Sequence, residues 1–190
     1  MKKIMKFKIR LIFFIFVSIF FGLSFSFAES GFNCNAKTAC TTGINNVNVF
    51  KVLQSRLSWH NKERNNVGLS GYAYNLNLQK TANIWANEIN VNLSGKVTHV
   101  RKITDGYYNY KSINEWFKNN GVQLTGVGTL FSESLGRGYY KCNKSDCTDT
   151  LIKAIKTSFD FFMSEKGKKS APHYNGIVSK NFKLIGLGIA

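Results

Sequence analysis

Four stretches of this chain repeat their apolar residues at helical spacing, and two others do not. Val49, Leu53 and Leu57, with His60 after them, recur every three or four positions and predict a helix from about 49 to 65. Asn65-Asn66-Val67-Gly68 breaks it, Gly68 being suited to the left-handed backbone that stops a helix. Leu78, Ala82, Trp85 and Ile89 fall at i, i+4, i+7 and i+11, a second helix that Asn77 or Asn75 can cap. Ser112 to Asn119 carries Ile113, Trp116 and Phe117 and predicts a short helical stretch, closed by the turn Asn119-Asn120-Gly121. A later helix, with Thr148 or Asp149 as its cap, presents Ile152, Ile155, Phe159 and Phe162 on one face. The other two stretches differ in kind. Thr129 to Leu135 alternates loosely, as a strand or an extended segment; Leu184 to Ala190 is an apolar run with two glycines and predicts a buried strand. The fold class expected is α+β, in one mixed domain.

The first residues belong to export. Lys2, Lys3, Lys6, Lys8 and Arg10 precede an apolar run from Leu11 to Leu23, and Ser26-Phe27-Ala28 places small residues where a signal peptidase reads them, which predicts cleavage after Ala28. The run is short of the about 20 residues that a spanning helix needs. No comparable run follows, so no transmembrane span is expected after cleavage. Residues 29–47 are rich in Asn, Thr and Gly and read as a leader; 48–190 is the domain proper.

Charge and cysteines add to this. Removing residues 1–28 takes five of the 26 basic residues and none of the 10 acidic ones, which lowers the formal charge from +16 to +11. The excess suits anionic partners such as lipid headgroups or wall polymers. Beyond Lys166–Lys169 there is no dense basic run, so the lysines read mainly as solvated surface and nucleic acid is not the expected partner. The cysteines come as two close couples, Cys34/Cys40 and Cys142/Cys147. An oxidising compartment makes disulfides the default, and pairing within each couple is expected out of three possible connectivities.

Of the three histidines, His99 and His173 could join Glu133 and Glu165 in a small metal-binding or acid–base site if folding brings them together. Neutral imidazoles are good ligands for Zn²⁺ or another divalent cation. With only two of them, the site would be open and weaker than a structural zinc site. The carboxylates would orient the rings, hold a ligated water, or raise the histidine pKa values. Each residue has a plainer reading. His99 also suits a surface histidine, and Glu165 stands at helical spacing from Lys168 and Lys169. Glu133 has apolar neighbours Leu130, Phe131 and Leu135, which favour burial and hence a partner. No Ser or Cys nucleophile stands beside a base in a defensible motif.

Trp59-His60-Asn61-Lys62-Glu63-Arg64 resembles the His-Asn-x-x-Arg opening of the CAP superfamily, the cysteine-rich secretory, antigen 5 and pathogenesis-related-1 proteins. Tyr74-Asn75-x-x-Leu78-x-x-x-Ala82-x-x-Trp85-Ala86 is similar to that family's next helix. Glu133 in Ser-Glu-Ser-Leu stands where the family has Gly-Glu-Asn-Leu, and Phe162-Met163-Ser164-Glu165 resembles its Trp-x-x-Glu helix. His173, followed by Ile185-Gly186-Leu187-Gly188-Ile189-Ala190, resembles its Gly-His segment and glycine-containing strand, although Pro172 precedes the histidine here. The likeness is collinear over residues 48–190. It implies a three-layer α-β-α sandwich with a small central antiparallel sheet, and a cleft holding His99, Glu133, Glu165 and His173 as a tetrad. His60 then belongs to the first helix, with a structural role. The resemblance also implies a further strand after Ala190, where this sequence ends. Three functions follow as expectations. The first is a secreted or envelope binding module that takes a divalent metal and an extracellular ligand, such as a lipid, a wall polymer or a host molecule. The second is a metal-dependent hydrolase with Glu133 or Glu165 as general base. The third is a cationic surface adhesin whose tetrad is vestigial.

Overall fold

The computed structural model describes residues 46–126 and 128–190. The export segment expected over 1–28, Cys34 and Cys40 lie outside them; Cys142 and Cys147 are joined as expected.

Asparagine starts three of the helices. Asn48 accepts from the Lys51 amide at the head of α1 (Val49–Asn66), Asn75 from that of Leu78 at the head of α2 (Leu76–Asn87), and Asn109 from that of Ser112 at the head of α3 (Tyr110–Asn119). Each side chain satisfies one amide that the first helical turn leaves without a partner. Of the two caps expected for α2, Asn75 is the one used. Helix α4 (Thr148–Met163) departs from expectation: neither Thr148 nor Asp149 caps it. The Thr148 hydroxyl accepts instead from the Asn48 amide at 2.7 Å, which ties the starts of α1 and α4 together. A short helix, α5 (Pro172–Ile177), follows the Lys-rich loop.

The core lies where α1 crosses α4 and α5. Val52, Leu53 and Leu57 of α1 are buried, as are Leu151, Phe159 and Phe162 of α4. Phe159, Phe162 and Ile177 form one cluster, with Trp59, Met163 and Val178 packed on its edge. Fully burying a side chain of this size contributes about 1.5–3 kcal/mol.

The sheet is smaller than the sequence suggests, and its direction differs. Among the described residues it consists of β1 (Ala73–Tyr74) beside β2 (Leu184–Ile185), paired in parallel where an antiparallel sheet is expected. Segment 129–135 has no regular secondary structure and joins no ladder. The run from Leu184 to Ala190 is not a buried strand either: only its first two residues pair, and Leu184 is exposed. Its glycines explain its path. A Cβ at Gly186 would collide with the backbone of Leu78 and Gln79, and one at Gly188 with that of Ala82 and Asn83. The run therefore lies backbone against backbone along α2, a closeness that only glycine permits.

Arg64 and Asn61 fix this arrangement. The Arg64 side chain is fully buried, over the Tyr72 ring at 3.9 Å, and donates to the carbonyls of Ser70, Ile177, Ser179 and Phe182. Asn61 bonds both the amide and the carbonyl of Tyr72, just ahead of β1. His60 is buried against Phe159, and its Nδ1 meets the Arg56 carbonyl at 2.8 Å, the structural role expected of it. No helix among the described residues is long and apolar enough to cross a membrane.

Candidate functional site: two histidine–glutamate pairs

His99 and His173 are each tied to a glutamate, by different means. Helix α2 widens into a π-helical turn at Glu88–Asn92, and the chain reverses at Ser94 and Gly95, both with positive φ. Trp85 of α2 donates its indole N–H to the Thr98 carbonyl at 3.1 Å and so holds the residue before His99. The His99 ring is buried and its Nδ1–H donates to Glu133 Oε1 at 2.7 Å. The other oxygen of Glu133 accepts from Arg101 Nη2, and Arg101 Nη1 donates to the His99 carbonyl at 3.1 Å. Tyr107 stands edge-on to the His99 ring and Tyr108 lies tilted at 4.9 Å. Burial first, and then the Glu133 charge, push the Tyr108 phenol up to about 12, so it stays protonated.

The second pair is built at the start of α5. His173 Nδ1–H donates to Glu165 Oε1 at 2.6 Å, while Glu165 Oε2 accepts from the backbone amides of His173 and Tyr174 at 2.9 and 3.2 Å. The imidazole stacks on Phe162, with centroids 4.4 Å apart and planes within 5°. Burial pushes the Glu165 carboxyl up, but the donors around it, the His173 ring foremost, outweigh this and hold it below the usual carboxylate range. Glu165 is thus committed to His173, and its backbone carbonyl alone meets the Lys168 turn. Glu63 of α1 accepts from Lys166 and from the Tyr174 hydroxyl, bracing the residues next to both members of this pair.

One segment joins the two pairs. Glu133 belongs to the first pair, and its neighbour Ser132 packs against Gly176, one helical turn beyond His173. A Cβ at Gly176 would meet the Ser132 side chain, so the small residue sets how closely segment 131–133 approaches α5. All four residues expected at the site are therefore engaged, as two pairs. Among the described residues no group of three or more His, Cys, Asp or Glu side chains is disposed as a cage for a metal ion.

The carboxylates orient the rings and leave Nε2 of each as the nitrogen for a ligand. Neither Nε2 makes a hydrogen bond among the described residues. Arg101 Nε is the single buried side-chain nitrogen or oxygen without a partner among them, so Nε2 of neither ring is sealed from solvent. Each ring offers one imidazole nitrogen, and with no group of three or more ligating side chains among the described residues the pairs do not make a closed structural metal site.

Arg101 and the two tyrosines are the residues that sequence reasoning missed. The signal was the spacing Thr98-His99-Val100-Arg101: outside a helix, residues two apart can face the same way, and here both meet Glu133. Comparison with family models, with curated proteins and with solved structures finds no match.

Proposed function

We propose that this chain is an exported, CAP-like domain that works by binding, with Nε2 of His99 and of His173 as its donors in an open cleft. The observation that carries this reading is the shared geometry of the two rings: each Nδ1–H is held by a glutamate with little exposure, which fixes the tautomer and leaves Nε2 as the basic nitrogen. The three-layer sandwich that the resemblance implies would bring both pairs to one cleft. A divalent cation such as Zn²⁺, when bound there, supplies a Lewis-acidic attachment point for an anionic or carbonyl-bearing ligand. The basic surface suits an extracellular lipid headgroup or wall polymer as that ligand.

Hydrolysis is the less favoured use of the same residues. A general base must reach a substrate proton. Glu133 already accepts from His99 and Arg101, and Glu165 from three N–H groups. Their commitment to orientation supports binding over turnover.

A calorimetric Zn²⁺ titration tests this, run beside a His99→Ala/His173→Ala double variant. Saturable uptake of one ion, lost in the double variant, is the expected result. No uptake by the folded wild type would remove the metal-binding and metallohydrolase readings together.

A further inference from the structure

We infer that Arg101 is a positioning residue, which sets the tautomer and direction of the His99 ring by locking Glu133 from behind. The inference rests on the reading of His99 Nε2 as a ligand-facing donor. The guanidinium closes a ring of hydrogen bonds: from the His99 imidazole to Glu133 Oε1, through the carboxylate to Oε2, on to Arg101 Nη2, and from Nη1 back to the His99 carbonyl. One side chain thus holds both the backbone of the histidine and the carboxylate that its ring meets. A planar fork holds the two at a fixed spacing, which the single nitrogen of an ammonium does not.

The setting makes a role in solubility or general charge untenable. The Arg101 side chain is 2% exposed. It lies over Trp85 at 3.5 Å and Trp116 at 4.7 Å, so two indoles fix its plane. Its Nε has no partner, a destabilising feature in a buried cation. Burying an arginine with one donor orphaned is unfavourable for stability alone, and apolar replacement of buried ion pairs is often neutral or stabilising. Trp85 meanwhile donates to the Thr98 carbonyl, so the group that stacks on Arg101 also anchors the residue before His99. The second pair needs no such residue, because two backbone amides hold Glu165 where Arg101 holds Glu133. His173 is therefore an internal control.

The test reads the tautomers of both histidines by long-range ¹H–¹⁵N correlation at one neutral pH, in the full-length protein and in Arg101→Gln. The expected result is that His99 is Nδ1–H in the wild type and becomes a mixture of tautomers in the variant, with His173 unchanged. Zn²⁺ affinity should fall about ten-fold, the usual effect of losing a residue that orients a metal-ligating histidine. If Arg101→Gln does not fold, Arg101→Lys carries the same test, since it keeps the charge between the indoles and loses the fork. An unchanged His99 tautomer in a folded variant overturns the inference, and so does an equal change at both histidines, which marks a role in the fold only. If the wild type takes up no Zn²⁺, the metal reading fails while the tautomer comparison still decides the role of Arg101.

Discussion

Arg64 donates Nη1 to the carbonyl of Ile177 at 2.9 Å, across 113 positions of sequence. The same side chain meets the carbonyls of Ser70, Ser179 and Phe182, so one cation on α1 gathers the approach to β1 and the approach to β2. The parallel pair exists because these two approaches are held together. Arg64→Met should therefore destabilise the protein by about 3–5 kcal/mol, as expected when one side of a buried polar network is removed. In urea unfolding the midpoint should drop sharply. A midpoint within a few tenths molar of wild type would show that the carbonyls find other partners.

How much of this was legible beforehand depends on the range of the forces involved. Helices α1, α2, α3 and α4 announce themselves by local spacing of Leu53, Leu57, Trp85, Ile113 and Phe159, because each needs only one apolar face. The residues of the His-Asn-x-x-Arg stretch lie on α1, but the use of Arg64 was not legible, since its partners lie in loops that carry no pattern. Strands of two residues are too short for alternation, so the direction of β1 beside β2 could not be read. The apolar run from Leu184 predicts burial; the structure covers it on one side through Gly186 and Gly188 and leaves Leu184 outside. For the site, the residue types His99, Glu133, Glu165 and His173 were legible. Their division into two pairs was not, because it depends on which donor reaches the second oxygen of each carboxylate.

Gly186→Ala and Gly188→Ala test the close passage along α2. Each added methyl would enter the backbone of α2, which cannot swing aside as a side chain does. Overpacking of this kind costs about 1–3 kcal/mol, so each variant should melt several degrees lower. Gly68→Ala is the useful contrast. Its Cβ meets nothing within 4 Å, but φ is +76°, so only backbone strain acts, about 1 kcal/mol. If the three variants melt alike, the contact with α2 is looser than described.

Glu165 gives the acid limb a specific contributor. Its folded carboxyl sits below the usual range, the donors around it outweighing burial, so it binds its proton less readily in the folded state than in the unfolded one. That stability is present above the unfolded pKa and disappears as pH falls through the folded one. Glu165→Gln should lower stability at pH 7 by about 1.5–3 kcal/mol, the worth of hydrogen bonds to a charged group. It should also flatten the dependence on pH below about 4.5. Equal acid slopes in both proteins, from urea midpoints at pH 3 and pH 6, would assign the acid limb to other carboxylates.

His60 acts over a different and higher window. Burial above all, with the Arg56 charge second, lowers its pKa from 6.5 to about 3, against the weaker pull of its bond to the Arg56 carbonyl. The folded protein therefore keeps His60 neutral where the unfolded chain already binds a proton. Stability is complete above about 6.5 and declines as pH falls, by at most about 1.4 kcal/mol per unit, until the folded group titrates near 3. Between pH 7.5 and 5 few carboxylates change state, so most of any loss there belongs to histidines. The His60 ring faces a carbonyl and a neighbouring cation, neither of which can hold a second proton on it against burial. His60→Gln keeps an N–H donor for the Arg56 carbonyl and cannot titrate. The variant should be less stable at pH 7.5 because Gln fits poorly beside Phe159, and yet lose about 2 kcal/mol less than wild type on going to pH 5. Parallel losses in the two proteins would mean that water reaches the His60 ring and that the core around Phe159 opens more readily than its packing implies.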